Sequence, residues 1–181
     1  MGSGNVSHFV SACAAVGLVL CTSSAAFAAS AAGVASSVVR PATTISKTRD
    51  LNFGRIIRGT TAGTVTINPR TGARTRTGGV TLLGTDFTSA AFAGTGTAGV
   101  QARLSVGSPT VVLTRIGGGA TMNLNTLRVS IGGGAVRTLP RNFNLPATGV
   151  QTIIIGGRLN VGANQLSGVY AGTFTLTMNY Q

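Results

Sequence analysis

Few side chains in this sequence could support acid–base, nucleophilic or metal chemistry. They are one histidine, two cysteines and two acids: His8, Cys13, Cys21, Asp50 and Asp86. Nucleophilic catalysis usually pairs a Ser or Cys with a base such as His, and glycoside hydrolysis needs two carboxylates. Metal sites draw on His, Cys, Asp and Glu. Because the two acids lie far apart in the sequence, and the histidine and both cysteines lie in an N-terminal segment that we expect to be removed, we expect neither an enzyme nor a bound cofactor or metal ion.

The first 28 residues have the pattern of a secretory signal peptide. Residues 9–21 form an apolar run of suitable length, and the small residues Ala26 and Ala28 mark a cleavage site before Ala29. This run is shorter than the about 20 apolar residues that span a bilayer. We therefore expect the protein to be exported through the periplasm to the cell surface or the extracellular space. Cleavage would remove the histidine and both cysteines, so no disulfide would stabilise the remaining domain.

The net charge of +12 comes from thirteen arginines and one lysine that are spread along the chain. Only Arg70, Arg74 and Arg76 lie close together, in a turn-like stretch without aromatic residues on which bases could stack. Such an excess of positive charge can indicate nucleic-acid binding. The scattered arrangement instead favours a solvated basic surface that attracts an anionic surface polysaccharide, and we expect no specific nucleic-acid partner.

Apolar and polar residues alternate along most of the chain after Ala29. The pattern is clear at 63–67, 100–106 and 173–180, and Gly, Thr and Ser separate the runs at short intervals. Side chains of a strand point alternately to opposite faces of a sheet, and many short strands with glycine-rich turns are typical of a β-sandwich. We therefore predict an all-β sandwich of short antiparallel strands that forms one domain over residues 49–181.

The two ends of the region after the signal peptide differ in pattern. Near the C-terminus, large apolar residues alternate with Thr and Asn, and they are Phe174, Leu176, Met178 and Tyr180. Residues 29–48 precede the domain as an N-terminal extension. Its alternation is weaker and its side chains are smaller, as in Ala32, Val34, Ser36 and Val38. The C-terminal pattern is the most regular candidate strand in the sequence, whereas the pattern of the N-terminal extension is much less regular.

Four segments carry a family resemblance: LNFG at 51–54, GTVTINP at 63–69, GGVTLLG at 78–84 and ANQLSGVYAGTFTLTMNY at 163–180. They resemble a family of exported bacterial β-sandwich proteins that is catalogued as a domain of unknown function. The last segment is also similar to the end of a chaperone–usher pilin, which typically has a penultimate Tyr and a Gly at the fourteenth position from the C-terminus. Tyr180 and Gly168 occupy those two positions in this sequence.

The pilin resemblance implies an immunoglobulin-like sandwich that lacks one strand and therefore has an apolar groove beside its last strand. The candidate groove residues are Gly168, Phe174, Leu176, Met178 and Tyr180. The extension of a neighbouring copy would fill this groove by strand addition. Its candidate donor residues are Ala32, Val34, Ser36 and Val38. Copies would then join head to tail into a fibre or pilus, with a periplasmic chaperone and an outer-membrane usher as partners.

The expected function is therefore that of a structural, pilin-like subunit of an extracellular fibre that assembles by donor-strand complementation. An alternative function fits the same composition. A monomeric secreted β-sandwich could act as an adhesin or bind a surface polysaccharide without assembling. The alternative predicts a monomer that refolds alone, whereas a fibre subunit would need residues 29–48 in order to polymerise.

Overall fold

The computed structural model describes residues 34–181. Val39–Gln181 form one compact unit, and residues 34–38 are exposed and have no regular secondary structure. In the described part of the chain every regular element is a β-strand, and no helix there could cross a membrane. The strands are β1 (Thr44–Arg49), β2 (Arg55–Ile57), β3 (Gly63–Ile67), β4 (Arg74–Gly78), β5 (Thr81–Leu83), β6 (Ala90–Thr95), β7 (Gln101–Val106), β8 (Val111–Arg115), β9 (Thr121–Ile131), β10 (Arg137–Thr138), β11 (Arg141–Asn144), β12 (Val150–Val161), β13 (Tyr170–Ala171) and β14 (Leu176–Tyr180).

The predicted N-terminal segments lie partly outside the described residues. The expected cleavage residues Ala26, Ala28 and Ala29 lie outside them, as does the candidate donor residue Ala32. Strand β1 begins at Thr44 and pairs antiparallel with β6. The last residues of the predicted extension are therefore part of the sheet.

One large antiparallel sheet is built around β9 and β12, its two longest strands. The strand order is β1-β6-β12-β9-β8-β13, with β10 paired to β9, and with β3 and then β4 added beside β12. Two strands pair with the same edge of β12. Strand β6 pairs with residues 150–155, and β3 pairs with residues 157–161. Along β12 the side chains of Ile153, Ile155 and Leu159 are almost fully buried, as expected for one face of a strand that points into the core.

A β-bulge interrupts β9 near the middle of the large sheet. Thr126 and Leu127 of β9 lie opposite a single residue of β12, Gly157. Thr126 has a φ of 52°, a left-handed conformation that β-branched residues rarely adopt. A bulge bends a strand and increases its twist. This bulge lies at the boundary between two halves of the large sheet, one in which β12 pairs with β6 and one in which β12 pairs with β3.

Two small sheets cover these halves. The sheet β11-β7-β14 packs over β6 and the first half of β12, where Met178 lies against Gly94 and close to Ile153. The sheet β2-β5 lies over the second half of β12, where β2 and Leu159 line a common groove. Apolar side chains from both layers form one buried cluster. The predicted all-β sandwich of short antiparallel strands is confirmed.

Candidate functional site

An open apolar groove lies between β2 and residues 164–170. Its volume is about 920 Å³. Ile56 of β2 contributes to one wall, and Tyr170 of β13 contributes to the other. The floor is apolar and comes from β8, β9 and β12, through Leu113, Met122, Leu159 and Val161. The groove is therefore a gap in the covering layer, above a well-formed part of the large sheet.

Large apolar side chains at the rim of the groove are accessible to water. Ile57 is 49% exposed, Leu83 44%, Leu166 50% and Val169 66%, and all four line the groove. A contiguous exposed apolar surface is uncommon on soluble monomers and usually marks a binding surface. No His, Cys, Asp or Glu is among the lining residues. The lining also includes Arg55 and Arg58, so the groove can accept apolar side chains and carries positive charge beside them.

Strand β2 presents backbone groups at one border of the groove. Within residues 34–181, β2 pairs with β5 alone, and residues 51–57 all line the groove. Among the described residues, the edge of β2 that faces away from β5 is therefore not paired with another strand, so β2 is an edge strand.

Arg74 anchors the β2–β5 sheet at the end of the groove. Its Nη1 donates a hydrogen bond to the carbonyl oxygen of Phe53 at 2.8 Å, and its Nη2 donates to those of Leu83 at 3.0 Å and Gly84 at 2.8 Å. The guanidinium also lies 4.4 Å from the ring centroid of Phe87, within range of a cation–π interaction. The sequence placed Arg74 in a basic turn, and no local pattern indicated this anchoring role.

The opposite wall is held by hydrogen bonds within residues 162–170 and by hydrogen bonds that connect this segment to Thr121 and Arg115. The Gln165 side chain donates to the carbonyl oxygen of Thr121 at 3.0 Å and to the Tyr170 hydroxyl at 2.8 Å. That hydroxyl donates to the carbonyl oxygen of Leu166 at 2.7 Å. The Arg115 Nε donates to the carbonyl oxygen of Ser167 at 2.7 Å. Both walls are therefore ordered by contacts that do not require a bound ligand.

Strand β14, beside which we expected an apolar groove, does not line the groove described above. It forms the edge of the sheet β11-β7-β14, and its side chains Leu176 and Met178 are buried in the core. The carbonyl oxygen of Met178 accepts a hydrogen bond from the Thr43 hydroxyl at 2.6 Å. The Tyr180 hydroxyl donates to the carbonyl oxygen of Pro41 at 3.0 Å. Residues just before β1 of the same chain therefore lie alongside β14.

The structure separates the five candidate groove residues into two groups. Phe174 precedes β14 and packs edge-on against Phe92, with ring centroids 6.1 Å apart, so it belongs with the β14 residues. Gly168 lies in the wall of the open groove instead, next to the Arg115 side chain. The described donor residues, Val34, Ser36 and Val38, are all exposed.

Both acids of the chain lie close to cations. Lys47 Nζ is 2.6 Å from Asp50 Oδ1, and Arg55 Nε is 3.5 Å from Asp86 Oδ2. All four side chains are more than half exposed, so each pair contributes at most about 1 kcal/mol to stability. Among residues 34–181, no group of three or more His, Cys, Asp or Glu side chains could hold a metal ion.

These features define an all-β antiparallel sandwich with an open apolar groove over one half of its main sheet. The family described as Domain of unknown function (DUF4402) matches residues 43–180, and the chain belongs to this family. The match begins one residue before β1 and ends at the last residue of β14, so it covers the whole sandwich. No curated protein and no solved structure shows a significant match to the chain.

Proposed function

We propose that this protein is an exported structural subunit of an extracellular fibre, in which residues 29–40 of one copy add as a strand to the apolar groove of the next copy. The observation that carries the proposal is the groove itself. It combines an apolar floor with the unpaired edge of β2. Strand addition uses both features, because the backbone bonds to the edge strand while alternate side chains enter the groove.

The donor segment has the composition that a shallow groove requires. Ala32, Val34, Ser36 and Val38 would share one face of an extended strand, and all four side chains are small. Val34 is 97% exposed and Val38 is 77% exposed. Burial of each valine would contribute roughly 1.5–3 kcal/mol to the interface.

The positions of donor and acceptor favour assembly between copies. Pro41, which directly follows the proposed donor segment, lies beside Tyr180. Leu51, further along the chain, lines the groove. Nine residues lie between Pro41 and Leu51, and the six of them that form β1 correspond to about 20 Å of extended chain. A donor at one end and an acceptor at the other form a head-to-tail interface, and such an interface propagates into a filament unless it closes into a ring.

The proposal includes two partners that act before assembly. An exposed apolar groove would make a free subunit prone to aggregation. A periplasmic chaperone that covers the groove during export, and an outer-membrane usher that releases the subunit for polymerisation, would prevent this. In this proposal the groove along β2 accepts the donor strand. The edge of β14, which the pilin resemblance implies, is the alternative acceptor.

Deletion of residues 31–40 from the full chain tests the proposal. We expect the exported protein to fold and to remain monomeric, because the deleted segment lies before β1. Sedimentation velocity and negative-stain electron microscopy would compare it with the wild type. A matched control replaces residues 31–40 with Gly and Ser at the same length, and it should also fail to polymerise. Filaments of normal length in either variant would contradict the proposal.

A synthetic peptide of residues 29–41 identifies the acceptor. We expect it to bind the deletion variant and to protect the amides of β2 from hydrogen exchange. Protection of β14 instead would assign the acceptor to the C-terminal strand, as the pilin resemblance implied. Absence of binding at either edge would exclude strand addition by this segment.

A further inference from the structure

A second concave site lies on the outer face of the large sheet, away from the apolar groove. It is a pocket of about 250 Å³ at the point where β3 ends and β9 bulges. Its polar lining side chains include Thr66, Thr126, Arg128 and Arg158, and Gly157 also lines it. The pocket therefore brings two guanidinium groups and two hydroxyls to one small depression.

The two arginines of this pocket have no acidic partner. No carboxylate is among the lining residues. The only two acidic side chains of the chain, Asp50 and Asp86, lie near Lys47 and Arg55. Within residues 34–181, the side chain of Arg158 makes two long hydrogen bonds, at 3.4 Å to Asn125 and 3.3 Å to Thr126. The positive charge of the pocket is therefore available to an external anion.

The bulge places Thr126 at the pocket. Its φ of 52° is a strained conformation for a β-branched residue, and bulges often redirect side chains next to binding sites. A regular strand would place opposite Gly157 one residue instead of two. The strained residue is therefore also one of the hydroxyl donors that line the pocket.

Polar side chains, all uncharged except Arg158, extend from the pocket across four strands. One cross-strand row consists of Thr75, Thr66, Arg158 and Asn125, and the next consists of Thr77, Thr64, Asn160 and Asn123. These residues alternate along their strands with buried residues such as Val65 and Leu159, so they lie on the outer face. Neighbouring strands are about 4.8 Å apart, so the two rows form a hydrogen-bonding surface.

We infer that this surface binds an acidic polysaccharide, with the carboxylate of a uronate residue between Arg128 and Arg158. The planar guanidinium matches a carboxylate through two parallel hydrogen bonds. Thr and Asn side chains both donate and accept hydrogen bonds, which suits the hydroxyl groups of neighbouring sugars. The inference does not depend on assembly, because the outer face and the groove lie on opposite sides of the large sheet.

Calorimetric titration of the full-chain protein with trigalacturonate tests this inference. Maltotriose serves as the neutral probe of equal length, and inorganic phosphate serves as the free anion. We expect trigalacturonate to bind and maltotriose not to bind at the same concentrations. Arg128→Gln and Arg158→Gln should each weaken binding about tenfold or more, because each removes charged hydrogen bonds. Arg158→Lys should weaken binding by less than Arg158→Gln, because Lys keeps the charge without the planar fork.

Arg103→Gln and Arg141→Gln are the matched controls. Both arginines are exposed and lie on β7 and β11 in the other layer, so each control changes the net charge equally without touching the pocket. Equal loss of binding in the controls would show attraction by net charge alone and would overturn the inference. Tighter binding of phosphate than of trigalacturonate, or absence of trigalacturonate binding, would also overturn it. Unchanged thermal melting of the four Gln variants would show that they are folded.

Discussion

The two halves of the sandwich share one main sheet but differ in how that sheet is covered. Over the first half, the sheet β11-β7-β14 closes the core, and Leu104, Ile153 and Met178 are at most 4% exposed. Over the second half, cover comes from the two short strands β2 and β5 and from residues 164–170, and the rim residues Ile57 and Val169 are 49% and 66% exposed. Strands β9 and β12 run through both halves, so the difference arises in the covering layer.

Residues of the closed half mainly stabilise the fold, whereas exposed residues of the open half are available for binding. The closed half buries its apolar surface within the chain. The open half leaves apolar surface for a partner, although its walls are held by Arg74 and Gln165. We therefore expect substitutions in the two halves to differ in their effects on stability and on assembly.

The largest expected effect is on stability in the closed half. Ile153→Ala should lower the free energy of unfolding by about 2–5 kcal/mol, because it leaves a cavity in a fully buried site. Val169→Ala, at the rim of the groove, should change it by about 0.5 kcal/mol or less. Urea denaturation measures both values. Equal losses in the two variants would show that the open half is as closely packed as the other.

An intermediate effect is expected for Arg74→Ala. Loss of its hydrogen bonds to three carbonyl groups should cost about 1–3 kcal/mol. Hydrogen exchange should become faster in β2 and β5 while β7 and β14 stay protected. Arg76→Ala is the matched control, because Arg76 is exposed on the same strand, and it should leave exchange in β2 unchanged. Faster exchange throughout the chain would show that the two halves unfold together.

The smallest effect on stability, together with a large effect on assembly, is expected at the rim of the groove. Ile57→Lys should change the free energy of unfolding by about 0.5 kcal/mol but should prevent polymerisation, because a charge in a closed interface lacks a partner. Val112→Lys, at a residue of similar exposure on β8, should assemble normally. Filament length in electron micrographs would distinguish the two variants. Normal filaments from Ile57→Lys would show that the groove is not part of the interface between copies.

The alternating runs predicted several of the observed strands. Residues 63–67 form β3 as expected, and the C-terminal pattern forms β14. Strand β12, in contrast, continues through Gly156 and Gly157, where glycine would ordinarily interrupt a strand. The structure supplies the reason, since a side chain at Gly156 would clash with the carbonyl oxygen of Ile67. This contact involves a distant strand, so no local pattern could indicate it.

Sequence patterns predicted the fold better than they predicted the two candidate binding sites. The groove joins residues 51–57 to residues 164–170, and the outer pocket joins Arg128 to Arg158 across two strands. Alternation shows which residues share a face of one strand, but it does not show which strands are neighbours. The terminal pattern at Leu176 and Met178 was equally ambiguous, because a strand that lines its own core and a strand that lines a groove have the same periodicity.

The pairing of β1 with β6 has a mechanical consequence for a filament joined through residues 29–40. Tension would enter each subunit at Pro41 and pull β1 along its own axis. Because β1 leads directly into residues 51–57 at the groove, its covalent backbone would carry the force from one interface to the other, while its pairing with β6 would hold that segment extended. Such a filament would resist stretching and would extend little before a subunit gave way.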